Sequence, residues 1–426
     1  MKRVFKKLIP TQVLARYHFV LARTAAVIYG HPSEKMIVIG VTGTSGKSSV
    51  VHFLRQILES AGWKVGALST VEFCVAGRCQ LNDRKMTMLG RFQTQGFLRK
   101  MARAGCTAAI VETTSEGYLQ YRHRFINYDI MVLTNLYPEH LESHGGFENY
   151  KAAKLGIFRH AAGGRRKTLS PSPAPHPRPL PQGAREKIAI VNGASEYADE
   201  FLAFPFDKKI KYTVADALPT SVPGEHTPQN VAAALTVARE LDVEESVLRQ
   251  ATSQLQGVPG RIEMIPEAEK HGFRVIVDYA FEPVALAALY QVVAKLHPQR
   301  IIHVLGSCGG GRDRANRSVK GRFAAERAAV VIVTNEDPYD DDPLEIIDDV
   351  AAGAEAVVSS QSSVHSIEVL KILDRKEAIG KALTLAQKGD LVLITGKGSE
   401  QAMCVAGGKK IPWDDRKAVR EELKKL

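Results

Sequence analysis

At 426 residues the chain is long enough for two or three domains, and its 45% hydrophobic and 24% charged residues are those of an ordinary globular protein. The net charge of +11 is uneven: within residues 1–36, Lys2, Arg3, Lys6, Lys7, Arg16, Arg23 and Lys35 stand against Glu34 alone. No aromatic–basic interleaving accompanies this charge, which argues against nucleic-acid binding; no apolar run in 4–29 reaches the length of a membrane span, and no small-residue cleavage site marks a secretory signal.

The basic leader, 1–36, reads as an amphipathic helix packed on the body, with a membrane-surface or anionic-partner helix as the alternative. "MIVIGVTG" (36–43) is a β-branched run that ends in a glycine turn, and "SSVVHFLRQILESAG" (48–62) then carries apolar residues at helical spacing, so the order is strand, loop, helix. Strands are predicted at 64–68, 107–117 and 128–136, and helices at 94–105 and 146–161. Residues 163–186, "GGRRKTLSPSPAPHPRPLPQGARE", lose the apolar period and read as an exposed, disordered Pro-rich insertion. A strand at 187–193 and a helix at 230–243 follow. Beyond a boundary near 262–272 a second series begins, with strands at 273–280, 300–307, 329–335 and 391–398. The alternation predicts an α/β class: a central parallel-sheet domain with a phosphate loop, then a Rossmann-like α/β domain, preceded by the short helical leader. The cysteines, Cys74, Cys79, Cys106, Cys308 and Cys404, are odd in number and form no C-x-x-C pair, so a zinc ribbon is not expected and a reduced, cytoplasmic setting is.

The chemistry concentrates in "GVTGTSGKSSVVHFL" (40–54). Val41 stands where the first glycine of G-x-x-x-x-G-K-[ST] would be, yet Gly43, Thr44, Ser45, Gly46, Lys47, Ser48 and Ser49 lie between a strand and a helix. Small residues there let backbone N–H groups face an anion at the positive end of a helix. Lys47 can reach outer phosphates, and the Ser48 hydroxyl can ligate Mg²⁺. Further hard ligands are expected at strand ends beside the loop: Glu112 after "AAIV", and His140 in "TNLYPEHLESHGG". No Ser/His/Asp or Cys/His set calls for a nucleophilic side chain.

"GTSGKSS", "VETTSEGYLQYRH", "TNLYPEHLESHGGFENYKAAKLGIF", "NVAAAL", "GVPGRIE", "VDYA", "GGGRDRANR" and "GKGSE" occur in the order found in Mur ligases, and from about 37 to 416 the chain resembles the MurE type, the ligases that add an amino acid to a UDP-N-acetylmuramoyl-dipeptide in peptidoglycan synthesis. The family's loop has the form G-T-x-G-K-[ST]-[ST], which accounts for Gly43. The resemblance implies an ATP-dependent ligase with 37–262 as the ATP-binding domain and 263–426 as the amino-acid domain. It implies that Lys47, Glu112, His140, Lys154 and Arg261 serve catalysis, with Mg²⁺ at two sites on Ser48, Glu112, His140 and a carbamylated Lys154, for which Lys151 is easily mistaken. It places Asn230, Arg261 and Asp278 on the adenine and ribose. Thr87, Thr114, Gln120 and Arg122 would meet the nucleotide-sugar peptide. Arg312, Glu336, Asp337, Tyr339, Gly396 and Glu400 would meet the free amino acid. A cytoplasmic monomer is implied.

Two departures stand out. Residues 1–36 take the place of the domain that usually holds the uridine nucleotide, so either the substrate is bound differently or the carboxylate is another one, such as a folate, an amino-acid polymer or a lipid-linked precursor. Diaminopimelate-adding members carry D-N-P-R, where this chain has Glu336-Asp337-Pro338-Tyr339; a cationic amino acid such as lysine becomes plausible beside diaminopimelate. Asp340, Asp341 and Asp342 read as a solvated face. A non-catalytic nucleotide-binding scaffold is the third reading, opposed by the near-complete set of site residues.

Overall fold

The computed structural model describes residues 11–84, 86–138, 144–168, 185–311, 314–360 and 367–426. The chain divides into two compact units, residues 1–222 with 226–256, and residues 257–426 with 223–225.

The first unit is built on eight strands: β1 (Ile37–Thr42), β2 (Val65–Leu68), β3 (Glu72–Val75), β4 (Arg78–Leu81), β5 (Ala108–Glu112), β6 (Ile130–Leu133), β7 (Ile188–Asn192) and β8 (Lys208–Tyr212). Their order in the sheet is β4-β3-β2-β5-β1-β6-β7-β8. β1 lies in the middle, paired in parallel with β5 and β6, and all six of its residues are buried. Its Ile and Val side chains suit a strand covered on both faces. Helix Lys47–Ser60 buries Val50, Val51, Phe53, Leu54, Ile57 and Leu58. Their three- and four-residue spacing is what makes this segment an amphipathic helix.

Not every strand is parallel. β3 and β4 form an antiparallel edge hairpin after β2, which the sequence reading did not find. Cys74 and Cys79 face each other across it and form a disulfide. This corrects the expectation of five reduced thiols: a five-residue separation becomes a cross-strand pair only once the hairpin register is known. Cys106, Cys308 and Cys404 are thiols.

The insertion also needs correcting at its edges. Residues 169–184 lie outside the described residues, but Lys167 is buried, not exposed. Its ammonium contacts Asp129 Oδ2 at 2.5 Å and donates to the Ser33 and Met36 carbonyls at 2.8 and 3.0 Å. A buried ion pair tolerates this environment only because the remaining donors are also satisfied.

The leader forms the helix Thr11–Ile28, which packs on helix Arg91–Arg103. No described helix is long and apolar enough to cross a membrane.

The second unit has six strands, β9 (Glu263–Met264), β10 (Arg274–Val277), β11 (Ile301–Leu305), β12 (Val330–Thr334), β13 (Glu368–Ile372) and β14 (Leu391–Ile394), in the order β13-β12-β11-β14-β10-β9. All pairs are parallel except β9 with β10. A separate hairpin, β15 (Ala402–Val405) with β16 (Lys409–Pro412), follows. The strands expected at 273–280 and 391–398 are shorter than expected, ending at Val277 and Ile394. Arg375 and Asp415, both with wholly buried side chains, form a bidentate pair at 2.8 Å, and Arg375 also donates to the Thr395 carbonyl at 2.7 Å.

Candidate active site

In the first unit the loop Gly43–Gly46 joins β1 to helix Lys47–Ser60. Gly46 has φ 77°, and a Cβ there would collide with the side-chain oxygen of Asn230, so both conformation and space require glycine. Gly43 has φ 150°, and its Cβ would strike the Thr134 hydroxyl. Asn135 organises the loop: its Oδ1 accepts from the N–H groups of Thr44 (3.1 Å) and Ser45 (2.9 Å), and its Nδ2 donates to Ser45 Oγ at 2.9 Å. Thr134 donates to the Ser45 carbonyl at 2.6 Å, and Tyr150 donates to Thr44 Oγ1 at 3.2 Å. With Thr44 and Ser45 engaged by Asn135, an anion would meet the N–H groups from Gly46 onward. Among the described residues no side chain caps this helix, so its positive end is directed at that position.

Glu112 closes β5 and is buried. Its Oε2 accepts from Ser48 Oγ at 2.9 Å and from Thr70 N at 2.8 Å, and both its oxygens lie 3.1 Å from Thr70 Oγ1. A hydroxyl and a carboxylate held this close, at the ends of adjacent elements, are the hard oxygen donors that Mg²⁺ prefers. Lys47 Nζ donates to the Thr44 carbonyl at 2.8 Å. Lys154 is buried; its Nζ donates to the Gly43 carbonyl at 2.6 Å and lies 4.6 Å from the centre of the Tyr150 ring. Lys151 instead pairs with Glu148 and Glu200, each at 3.3 Å. His140 lies outside the described residues.

Beside Glu112, the Thr70 and Thr87 hydroxyls are 2.8 Å apart. Thr114 caps helix Ser115–Leu119 by accepting from Gly117 N at 3.0 Å. Arg122 donates to Gln120 Oε1 at 2.7 Å and to the Met88 carbonyl, and burial lowers its pKa. Arg91 donates to the Gln120 carbonyl; burial, and then the charge of Arg122, lower its pKa too. Two guanidinium groups thus share Gln120. The sequence reading missed Thr70, Arg91, Asn135 and Tyr150. Two of them left a trace: Asn135 lies in the stretch quoted for His140, and Tyr150 is one helical turn before Lys154.

In the second unit the Arg261 guanidinium lies 4.3 Å from the centre of the Tyr279 ring. Asp278 follows β10 and accepts from Ile262 N at 2.7 Å and Ala280 N at 2.6 Å. Burial raises its pKa, opposed by the charge of Arg261. Asp337 accepts from Lys397 Nζ at 2.9 Å and Cys404 N at 2.6 Å. Lys397, buried, also reaches Glu400 Oε2 at 2.6 Å and the Ala402 carbonyl at 2.7 Å. It is the second residue of "GKGSE", between Gly396 and Glu400, which the sequence reading singled out. Glu336 is buried: its Oε1 accepts from the Cys308 thiol at 3.2 Å, and its Oε2, which lies against Gly396, has no hydrogen-bond partner among the described residues. Burial, then the charges of Glu336 and Asp337, push the Cys308 thiol well above its ordinary pKa. Tyr339 has φ 53° and donates its N–H to the Cys404 carbonyl at 3.1 Å. The three acids that follow are more than a solvated face: Asp340 accepts from Gly407 N, Asp341 pairs with Arg317, and Asp342 accepts from Leu344 N. Arg312 lies outside the described residues.

The pattern of the Mur ligase middle domain matches residues 41–238, and that of the Mur ligase glutamate ligase domain matches 260–398. A UDP-N-acetylmuramyl-tripeptide synthetase from Roseiflexus sp. (strain RS-1) is 34% identical over 95% of this chain and 82% of its own length. The chain belongs to the Mur ligase family. It is an ATP-dependent amide-bond ligase with a mixed α/β fold. A solved UDP-N-acetylmuramoyl-L-alanyl-D-glutamate–2,6-diaminopimelate ligase aligns at TM-score 0.59 and 25% identity, over 92% of this chain and 79% of that one. A Mycobacterium tuberculosis folylpolyglutamate synthase complexed with ADP shares the fold at TM-score 0.62 and 16% identity, over 89% of this chain and 92% of that one.

Proposed function

We propose that this Mur ligase is of the MurE type and adds diaminopimelate or lysine to a UDP-N-acetylmuramoyl-dipeptide in peptidoglycan synthesis. The observation that carries the reading is the 34% identity to a tripeptide synthetase across 95% of the chain. The clustering of Ser48, Glu112, Lys47 and Lys154 around one loop is consistent with it.

A carboxylate is a poor acyl donor, because its leaving group would be oxide. Its oxygen attacks the γ-phosphorus of ATP, ADP leaves, and an acyl phosphate results. The amine of the incoming amino acid then attacks the acyl carbon, expels phosphate and loses a proton. Lys47 and the N–H groups from Gly46 to Ser49 would hold the phosphates and neutralise charge on the transferring oxygens. Asn230, Arg261 and Asp278 would hold the nucleoside. Ser48, Glu112, His140 and Lys154 as its carbamate would hold Mg²⁺, which when bound supplies positive charge to the phosphoryl oxygens. Arg122 and, beside it, Arg91 suit the phosphates or carboxylates of the acceptor, with Thr87, Thr114 and Gln120. Arg312, Glu336, Asp337, Tyr339, Gly396 and Glu400 would surround the amino acid. The acids of this set, with tyrosine at 339, favour a cationic side chain.

The test is mass analysis of products from ATP, Mg²⁺, bicarbonate, UDP-muramoyl-dipeptide and a panel of amino acids. The expected product is the dipeptide extended by one diaminopimelate or lysine. Extension of a folate or of an amino-acid polymer instead, with the muramoyl peptide untouched, would move the chain to a different Mur-fold substrate.

A further inference from the structure

The helix Thr11–Ile28 uses only one of its faces to hold on to the body of the protein. Ala22, Ala25 and Ala26 are buried. On the opposite side Val13, Tyr17, Val20, Val27 and Ile28 are 55–65% exposed, with exposed Thr24 completing the three- and four-residue spacing. An apolar stripe facing water on an otherwise well-packed helix marks an interaction surface. The charges on the helix have one sign. The helix contains no acidic residue, and exposed Arg16 and Arg23 lie seven residues apart along the flank of the stripe. Arg99 lies against Gly30, just past the end of the helix. Lys2, Arg3, Lys6 and Lys7 add four cations just before it in sequence.

We infer that this face docks on an anionic lipid surface, the helix lying in the interface plane with its apolar stripe among the acyl chains and its arginines at the headgroups. The pattern is that of an interfacial helix: apolar on one face, basic at the boundary, and unable to span. Charge selects this occupant over a second copy of the chain, because two such faces would bring like charges together. The ligase reaction does not call for this surface, so the two conclusions stand or fall separately.

The experiment is co-sedimentation of the full chain with vesicles of phosphatidylcholine alone, or of two parts phosphatidylcholine to one of phosphatidylglycerol, at low and high salt. Binding is expected to the anionic vesicles only, and to weaken with salt. Each of Arg16→Gln and Arg23→Gln is expected to weaken it about fivefold, and Val20→Glu to abolish it. Because Arg16 and Arg23 are exposed, their variants test the proposal even if Val20→Glu disturbs the fold. Equal binding to both vesicle types, no binding, or indifference to the arginine changes would overturn it. So would a concentration-dependent dimer in sedimentation velocity that Val20→Glu dissolves.

Discussion

Lys154 in the first unit and Lys397 in the second are both buried lysines, and they are held by different groups. Lys397 donates to two carboxylates, Asp337 and Glu400, and to a carbonyl. Lys154 donates to the Gly43 carbonyl of the phosphate loop and lies over the Tyr150 ring. The first arrangement fixes a charge in place, since two acids would be stranded without it. The second places an amine against the loop proposed to receive the phosphates, where exchanging a cation for a carbamate would change what the loop can bind.

The sharpest break in this comparison is Lys397→Met against Lys154→Met. Removing one partner of a buried ion pair costs about 3–5 kcal/mol, so Lys397→Met should lower the urea midpoint of the second unit strongly. Lys154→Met should instead remove ligase activity that bicarbonate otherwise supports. Full ligase activity in Lys154→Met would erase the distinction.

A smaller effect should be common to both units. His303 in the second is held neutral by burial, its pKa lowered from 6.5 to about 3, and His160 in the first is lowered to about 4, again chiefly by burial. The unfolded chain takes up a proton that the folded chain refuses. The stability from these groups is therefore complete above pH 6.5 and drains as pH falls towards the folded values. At pH 5 each accounts for a loss of about 2 kcal/mol. Denaturation midpoints measured from pH 7.5 to 5 should fall in both units; a rise on acidification would contradict the assignment.

What the sequence revealed follows the same division between local and distant. β1, the loop and its helix were legible because strand period, glycine turn and helix period adjoin in fifteen residues. Glu112 was legible because strand ends beside such a loop converge on it. Thr70, Arg91 and Asn135 were not, because their roles depend on contacts with residues 29 to 91 positions away. Lys397 was overlooked between two named neighbours because its role depends on Asp337, 60 residues earlier. The Cys74–Cys79 pair needed the register of an edge hairpin, and the buried Lys167 needed Asp129, 38 residues away in sequence, to explain it.

The central claim is that the loop Gly43–Ser49 is an ATP site for carboxylate activation. Phosphate release from ATP, measured with acceptor and amino acid both present, tests it most directly. The wild type should release phosphate only when both are supplied, and Lys47→Ala should cut the rate by about a hundredfold or more while the protein remains folded. Release from Lys47→Ala at the wild-type rate would contradict it.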